Sequence, residues 1–333
     1  MSSDIVSHPA GIARVPQNRS HIIVFVNRTA GSGKGKERVD TLVNCLETVG
    51  FQFTTVTDPA NLASAVTANQ TSLRAIVAAG GDGTVAMVVN HAPPGTPIAI
   101  LPLGTENLVA KYIATPRTVD GLVELIRQGI TASLDAGEAN GRIFLLMVGC
   151  GFDAEVVRRL HTTRRGHIRH SSYIKPILDT IRSYQYPVLC ITIDRDPVRK
   201  PIANTLPNNL PTPKQCMIEA RWAFVVNMPR YAMGLQFVPA ASATDGLLDI
   251  CTFRHGSFVN GLRYLGGVIR GHHLSWSDVT HHRASVIRIE SSAPVPFQLD
   301  GDPGGWLPVE VRTLPARLRL IVDSQWASKN GRQ

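Results

Sequence analysis

Residues 80–84 read Gly80-Gly81-Asp82-Gly83-Thr84, set between two apolar runs, Ala75-Ile76-Val77-Ala78-Ala79 and Val85-Ala86-Met87-Val88-Val89. An apolar run that ends in glycines and then resumes predicts a buried strand, a tight turn and a helix start. Glycines let the backbone turn sharply and approach a ligand closely, and the first amides of a helix offer donors and a positive dipole end. The stretch therefore reads as a phosphate cradle. Asp82 is its odd member. A carboxylate inside such a cradle repels phosphate unless a divalent cation, or a hydroxyl losing its proton, lies between them, which points to phosphoryl transfer. Two neighbouring readings fail. Gly81–Ala86 satisfies the relaxed dinucleotide fingerprint, but no acidic residue ends a second strand about 20 residues on. Ala30 to Lys36 has the look of a P-loop, yet Ala30 stands where the first glycine belongs and Glu37 where Ser or Thr would bind magnesium.

Moving outward, Ile22 to Val26 reads as a buried strand that ends in a basic, glycine-rich turn, Asn27 to Lys34. Val39, Leu42, Val43 and Leu46 follow at helical spacing, Phe51 to Thr57 reads as the next strand, and Leu62 to Ala68 as a helix. Pro97 to Leu108 repeats the pattern of strand, glycine turn and helix, with Thr105 and Asn107 offering side-chain donors. Strand and helix alternation predicts a parallel sheet with ligands at the carboxyl ends of its strands, so three such turns line one edge. The second half changes character. Val188–Ile193, Trp222–Val226, Leu247–Cys251 and Val286–Ile289 are short strand-like runs without intervening long helices. Asp194 to Lys214, rich in proline and asparagine, reads as a long hairpin loop.

Length and composition bound the rest. At 333 residues the chain exceeds a single core, and 44% hydrophobic with 18% charged residues describes a globular protein. The net charge of +9 suits an anionic partner. Nucleic acid is disfavoured, because no basic patch is interleaved with stacking aromatics. Residues 158–175 are the densest basic cluster and are expected to lie on an anionic membrane surface. Cys45, Cys150, Cys190, Cys216 and Cys251 are scattered without a CxxC pair, which reads as reduced thiols in a cytoplasmic protein. Neither a membrane span nor a signal peptide is seen, so membrane association is expected to be peripheral.

GGDGT at 80–84, Asn90, LPLGTEN at 101–107 and Asn27 with its glycine turn resemble the catalytic domain of the diacylglycerol kinase family, which includes sphingosine kinases and bacterial soluble lipid kinases. FLLMVGCGFDAE at 144–155, Asn227, FVPAASATDGLLD at 237–249 and QLDGD at 298–302 resemble the family's later blocks in the same order. The resemblance implies an α/β + β protein: a flexible tail at 1–20, an ATP-binding parallel-sheet α/β domain at 21–134, an antiparallel β-sandwich-like lipid domain at 135–322, and a C-terminal tail at 323–333 returning to the first domain. The active site would lie in the cleft between the domains, and the antiparallel edges could support a homodimer.

By the same resemblance ATP and Mg2+ are the cofactors, with Asn27, Thr57, Gly80, Gly81, Asp82, Gly83, Thr84, Thr105 and Asn107 as nucleotide contacts. Asp82 would also sit near the transferred phosphate. Asp302 occupies the place of the family's catalytic base, usually glutamate, with Asp300 sharing or replacing that role. A structural magnesium is implied near Ser242, Asp245 and Leu247. The chain departs from the family pattern at Ala86-Met87, usually Asn-Glu, and at Leu108-Val109, usually Asp-Phe. The expected activity is transfer of the γ-phosphate of ATP to a lipid hydroxyl. The alternatives are a weak family member acting as a nucleotide or lipid sensor, and an NAD kinase-like enzyme.

Overall fold

A computed structural model describes residues 11–27, 33–163, 183–194 and 216–330. The chain divides into two compact units, the first comprising Met1–Ala136, Ala243–Gly246 and Leu314–Gln333, the second Gly137–Ser242 and Leu247–Thr313.

In the first unit the elements run β1 (Ile12–Arg14), β2 (His21–Val26), α1 (Gly33–Thr48), β3 (Gln52–Val56), α2 (Leu62–Ala68), β4 (Leu73–Gly80), α3 (Asp82–His91), β5 (Pro97–Pro102), α4 (Leu108–Tyr112), α5 (Val119–Gln128) and most of β6 (Ile130–Ala139). The central strands pair in parallel in the order β3–β2–β4–β5. Every residue of β4 is buried, as a parallel strand covered on both faces requires. The helices supply that cover. In α5, Thr118 caps the start by accepting from the Gly121 N–H, left-handed Gly129 (φ 63) ends it, and Leu122, Val123 and Ile126 form the buried stripe. That stripe packs with Leu42, Leu46, Val77 and Leu101 into one core.

Arg74, inside β4, is 1% exposed. Its guanidinium donates to four carbonyl oxygens, those of Ile126 (2.9 Å), Val15 (3.3 Å), Pro16 (2.8 Å) and Arg127 (2.6 Å). A buried cation needs its donors satisfied. This explains a difference from the expected loose tail: within it β1 pairs antiparallel to β6 and Val15 is buried.

The second unit contains β7 (Arg142–Phe144), β8 (Met147–Cys150), α6 (Phe152–Thr163), β9 (Leu189–Asp194), β10 (Cys216–Ala220), β11 (Trp222–Val226), β12 (Leu248–Phe253), α7 (Phe258–Arg270), β13 (Val279–Ala284), β14 (Val286–Glu290), β15 (Pro296–Leu299), β16 (Asp302–Trp306) and the start of β17 (Val309–Ile321). The end of β17 pairs in parallel with β5, and α8 (Ser324–Asn330) completes the first unit. Two antiparallel sheets, β13–β12–β11–β8–β15–β16 and β10–β9–β14–β17, share a core that includes Val148, Ile191, Val225, Ile250, Ile287 and Phe297. This is the β-sandwich expected. The strands flanking the expected hairpin loop do pair antiparallel, and residues 195–215 lie outside the described residues. The expectation of no long helices fails: α6 and α7 have 12 and 13 residues. Among the described residues no helix is long and apolar enough to cross a membrane.

Candidate active site

Adjacent parallel strands bring their carboxyl ends to one edge, with Phe25 opposite Val56, Val26 opposite Ala79 and Gly80 opposite Pro102. Asn27, Thr57, Gly81 and Leu103 therefore leave the sheet side by side. The two glycine turns touch. A Cβ on Gly104 would fall 2.6 Å from the Gly81 Cα, one on Gly81 would fall 3.2 Å from the Gly104 Cα, and the Leu103 N–H donates to Gly80 O at 3.0 Å. A Cβ on Gly80 would collide with the side chain of Thr84, which is buried beneath it. Gly83 differs: it is exposed, and a Cβ there meets nothing within 4 Å. Packing alone does not require glycine at that position.

Two polar residues hold these turns. Asp82 Oδ1 accepts from the Val109 N–H at 2.9 Å, joining the first turn to the start of α4. Burial pushes its carboxyl above the ordinary aspartate range, opposed by the backbone N–H groups of Val109 and Leu108. Asn107 is left-handed (φ 49), and its side-chain amide both accepts from the Gly104 N–H (2.9 Å) and donates to Gly104 O (2.6 Å). Its amide shapes the turn. Thr105 is exposed, whereas Leu108 and Val109, at the altered family positions, are buried apolar residues.

In the second unit the QLDGD segment forms a tight turn in which the two aspartates have different surroundings. Asp300, left-handed at φ 53, accepts from the N–H groups of Leu145 (2.7 Å), Leu146 (2.8 Å) and Met147 (3.0 Å). Its carboxylate is thereby a clamp on the segment entering β8. Asp302 lies half-exposed, 3.6 Å from Arg142. Sequence reasoning assigned no role to Gln298 or Asp153. Gln298 is fully buried, accepts from the Gly301 N–H at 2.7 Å and donates to Asp153 Oδ2 at 2.8 Å. A side chain on Gly149 would fill the space this pair occupies. Burial pushes the Asp153 carboxyl up to about 6, with the Gln298 bond acting against it.

Asp153 lines a cavity of about 90 Å³, walled by Phe152, Trp222, Phe224, Phe237, Phe253, Tyr264 and other mainly apolar side chains. The aromatics pack as a set: Phe224 and Phe237 stack at 3.8 Å, Phe152 lies 4.7 Å from Trp222, and Phe253 4.7 Å from Tyr264. Among the described residues the buried Trp222 Nε1 and Tyr184 hydroxyl have no hydrogen-bond partner. The turn bearing Asp302 and the wall of the cavity are thus joined through Gln298.

The segment assigned to a structural magnesium is held by protein atoms. Asp135 Oδ2 accepts from the Gly246 N–H (2.7 Å), its Oδ1 from the Ala316 N–H (2.8 Å), and the Asp135 N–H donates to Ala243 O (2.7 Å). Tyr112 OH accepts from the Ala243 N–H at 3.2 Å. Ser242, Asp245 and Leu247 bring one carboxylate between them, and among the described residues no group of three His, Cys, Asp or Glu is placed to hold a metal. A catalytic magnesium makes smaller demands, since it is commonly bound through substrate phosphates and one or two carboxylates. Of the basic cluster, Arg158 and Arg159 both pair with Glu155 at 2.7 Å, and residues 164–175 lie outside the described residues.

The parallel sheet with touching glycine turns and the β-sandwich with a carboxylate turn each match a known domain of a kinase family. Residues 21–139 match the diacylglycerol kinase catalytic domain and residues 146–322 the YegS C-terminal NAD kinase beta sandwich-like domain. The chain belongs to the diacylglycerol kinase catalytic-domain family of lipid kinases, whose members use ATP. It is 22% identical over 314 residues to a diacylglycerol kinase of Bacillus subtilis (strain 168), covering 92% of this chain and 97% of that one. It is 26% identical over 271 residues to a diacylglycerol kinase of Mycobacterium tuberculosis (79% and 81%). A Synechocystis protein is 28% identical over 255 residues, and the match covers 74% of this chain and 54% of that longer protein. A crystal structure of a diacylglycerol kinase from Bacillus anthracis str. Sterne shares the fold, with a TM-score of 0.64, 20% identity and coverage of 92% and 98%.

Proposed function

We propose that this chain transfers the γ-phosphate of ATP to the hydroxyl of a lipid of the diacylglycerol type, bound by its apolar chains in the cavity of the second unit. The observation that carries this is the hydrogen-bonded path from the cavity wall to the carboxylate turn, Asp153 to Gln298 to the Gly301 N–H. An apolar cavity of this kind suits acyl chains, and NAD has none to offer it. ATP is held at the glycine edge, where Gly83 leaves open space for phosphate and Asn27, Thr57 and Thr105 stand beside it. The lipid oxygen attacks the γ-phosphorus, the bond to the β-phosphate oxygen breaks, and ADP leaves. Asp302 accepts the hydroxyl proton. Asp300 fixes the turn, and Asp82 fixes the two glycine loops. Magnesium, when bound with ATP, neutralises phosphate charge.

The test is transfer from γ-labelled ATP with magnesium to a panel of hydroxyl lipids in mixed micelles, with NAD as a soluble acceptor. The expected result is label in an organic-extractable product. Label in NADP alone overturns the lipid assignment, and ATP binding without transfer makes the chain a sensor. The place of action is a membrane surface, where such lipids reside.

A further inference from the structure

Helix α7 carries apolar side chains on two faces. Gly261, Tyr264, Leu265 and Val268, spaced three and four residues apart, line the cavity, and Tyr264 packs on Trp222 and Phe253. On the outer side Phe258, Val259, Leu262 and Ile269 remain 41%, 71%, 44% and 66% exposed, and Leu274 follows just past the helix at 38%. α7 also has a polar sector, Asn260, Arg263 and Arg270, with Trp276 packed against Gly267 and the Arg263 guanidinium, so the exposed apolar residues form a stripe between that sector and the cavity-lining side. Single exposed apolar residues are ordinary; a contiguous set along one helix face marks an interaction surface. An arginine flanks the stripe at each end, with Arg254 exposed before α7 and Arg270 exposed at its close. The neighbouring carboxylate of Asp278 accepts from Arg263 (2.6 Å) and from the Tyr264 hydroxyl (2.7 Å), so it does not offset those end charges directly.

We propose that the outer face of α7 docks on an anionic lipid bilayer, with Val259, Leu262 and Ile269 entering the boundary between headgroups and acyl chains and Arg254 and Arg270 meeting acidic headgroups. Basic and apolar character on one interfacial helix is the combination that such surfaces bind. The same helix walls the apolar cavity, so docking places that cavity directly behind the membrane-bound face. This inference rests on the lipid kinase reading above.

The experiment is co-sedimentation of the full chain with phosphatidylcholine vesicles, with and without phosphatidylglycerol. Val259→Asp/Ile269→Asp is expected to weaken binding at least tenfold, about 1.4 kcal/mol. Arg254→Gln/Arg270→Gln is expected to remove only the preference for phosphatidylglycerol. Val49→Asp, at an apolar position 48% exposed in the first unit, should bind like the native chain. Val259→Trp/Ile269→Trp should bind more tightly, and an unchanged thermal melt reports that each variant is folded. Vesicle binding that survives Val259→Asp/Ile269→Asp overturns the docking face, as does a native chain that binds no vesicles. A self-association broken by that variant while vesicle binding is unchanged overturns it in favour of a protein interface. The two readings separate: phosphorylation in micelles with α7-independent vesicle binding removes only the docking face. Vesicle binding through α7 without phosphorylation of any lipid removes only the kinase reaction.

Discussion

The glycine edge of the first unit and the aromatic cavity of the second are built by opposite means. At the edge, the geometry follows from missing side chains: Gly80, Gly81 and Gly104 let two backbone turns close on each other. The cavity depends on large side chains gathered from separate elements between Phe152 and Val268. A backbone-built site tolerates no added atom, whereas a wall of aromatics tolerates exchange of one for another of similar volume. Between these extremes stands the carboxylate turn, where Asp300 serves the backbone and Asp302 stays half-exposed beside Arg142.

The largest effect should come from Asp300→Ala, which strands three backbone donors; we expect a loss of about 3–5 kcal/mol in denaturant unfolding. If stability barely changes, the clamp is not a clamp, and Asp300 returns as a candidate base. Asp153 gives a pH-dependent effect. Its folded carboxyl titrates near 6 against an ordinary 3.8, so the folded chain holds a proton that the unfolded chain loses between those values. Stability therefore falls as pH rises through that window, by roughly 3 kcal/mol at most, and thermal melts of Asp153→Asn should lack that fall. Asp302→Asn should lower kcat about 100-fold, or about 2.7 kcal/mol, with melting unchanged because a half-exposed ion pair contributes little. An equal loss of stability would recast Asp302 as structural. The glycines sharpen the contrast most finely. Gly80→Ala should cost about 1–3 kcal/mol of stability. Gly83→Ala should leave stability within about 0.5 kcal/mol and weaken ATP about tenfold, measured by calorimetry.

How much was legible follows from the same contrast. Parallel strands and glycine turns are written contiguously, so residues 22–26, 75–84 and 97–107 were readable by pattern. The three partners of Asp300 lie about 150 residues away in sequence, and nothing local marks a carboxylate as a clamp. Helix α7 escaped for a different reason. Gly261, Gly266 and Gly267 argue against a helix by propensity, yet Gly261 lies close against Trp222 and Gly267 against Trp276, where at Gly267 a side chain would not fit. Tertiary packing overrides the local preference. The aromatics of the cavity were similarly hidden, since a 6% aromatic content looks sparse until the fold concentrates it.

Arg74 bears on how this protein should be handled at the bench. The domain match begins at residue 21, which invites expression from that point. Such trimming would delete two of the four carbonyls that receive the Arg74 guanidinium and would remove β1 from its edge. A buried cation would then keep only the carbonyls of Ile126 and Arg127 as acceptors. Affinity tags and fusion partners belong ahead of Gly11, and a product cut at residue 21 should be judged by its solubility before any failure to bind ATP is read as a property of the enzyme.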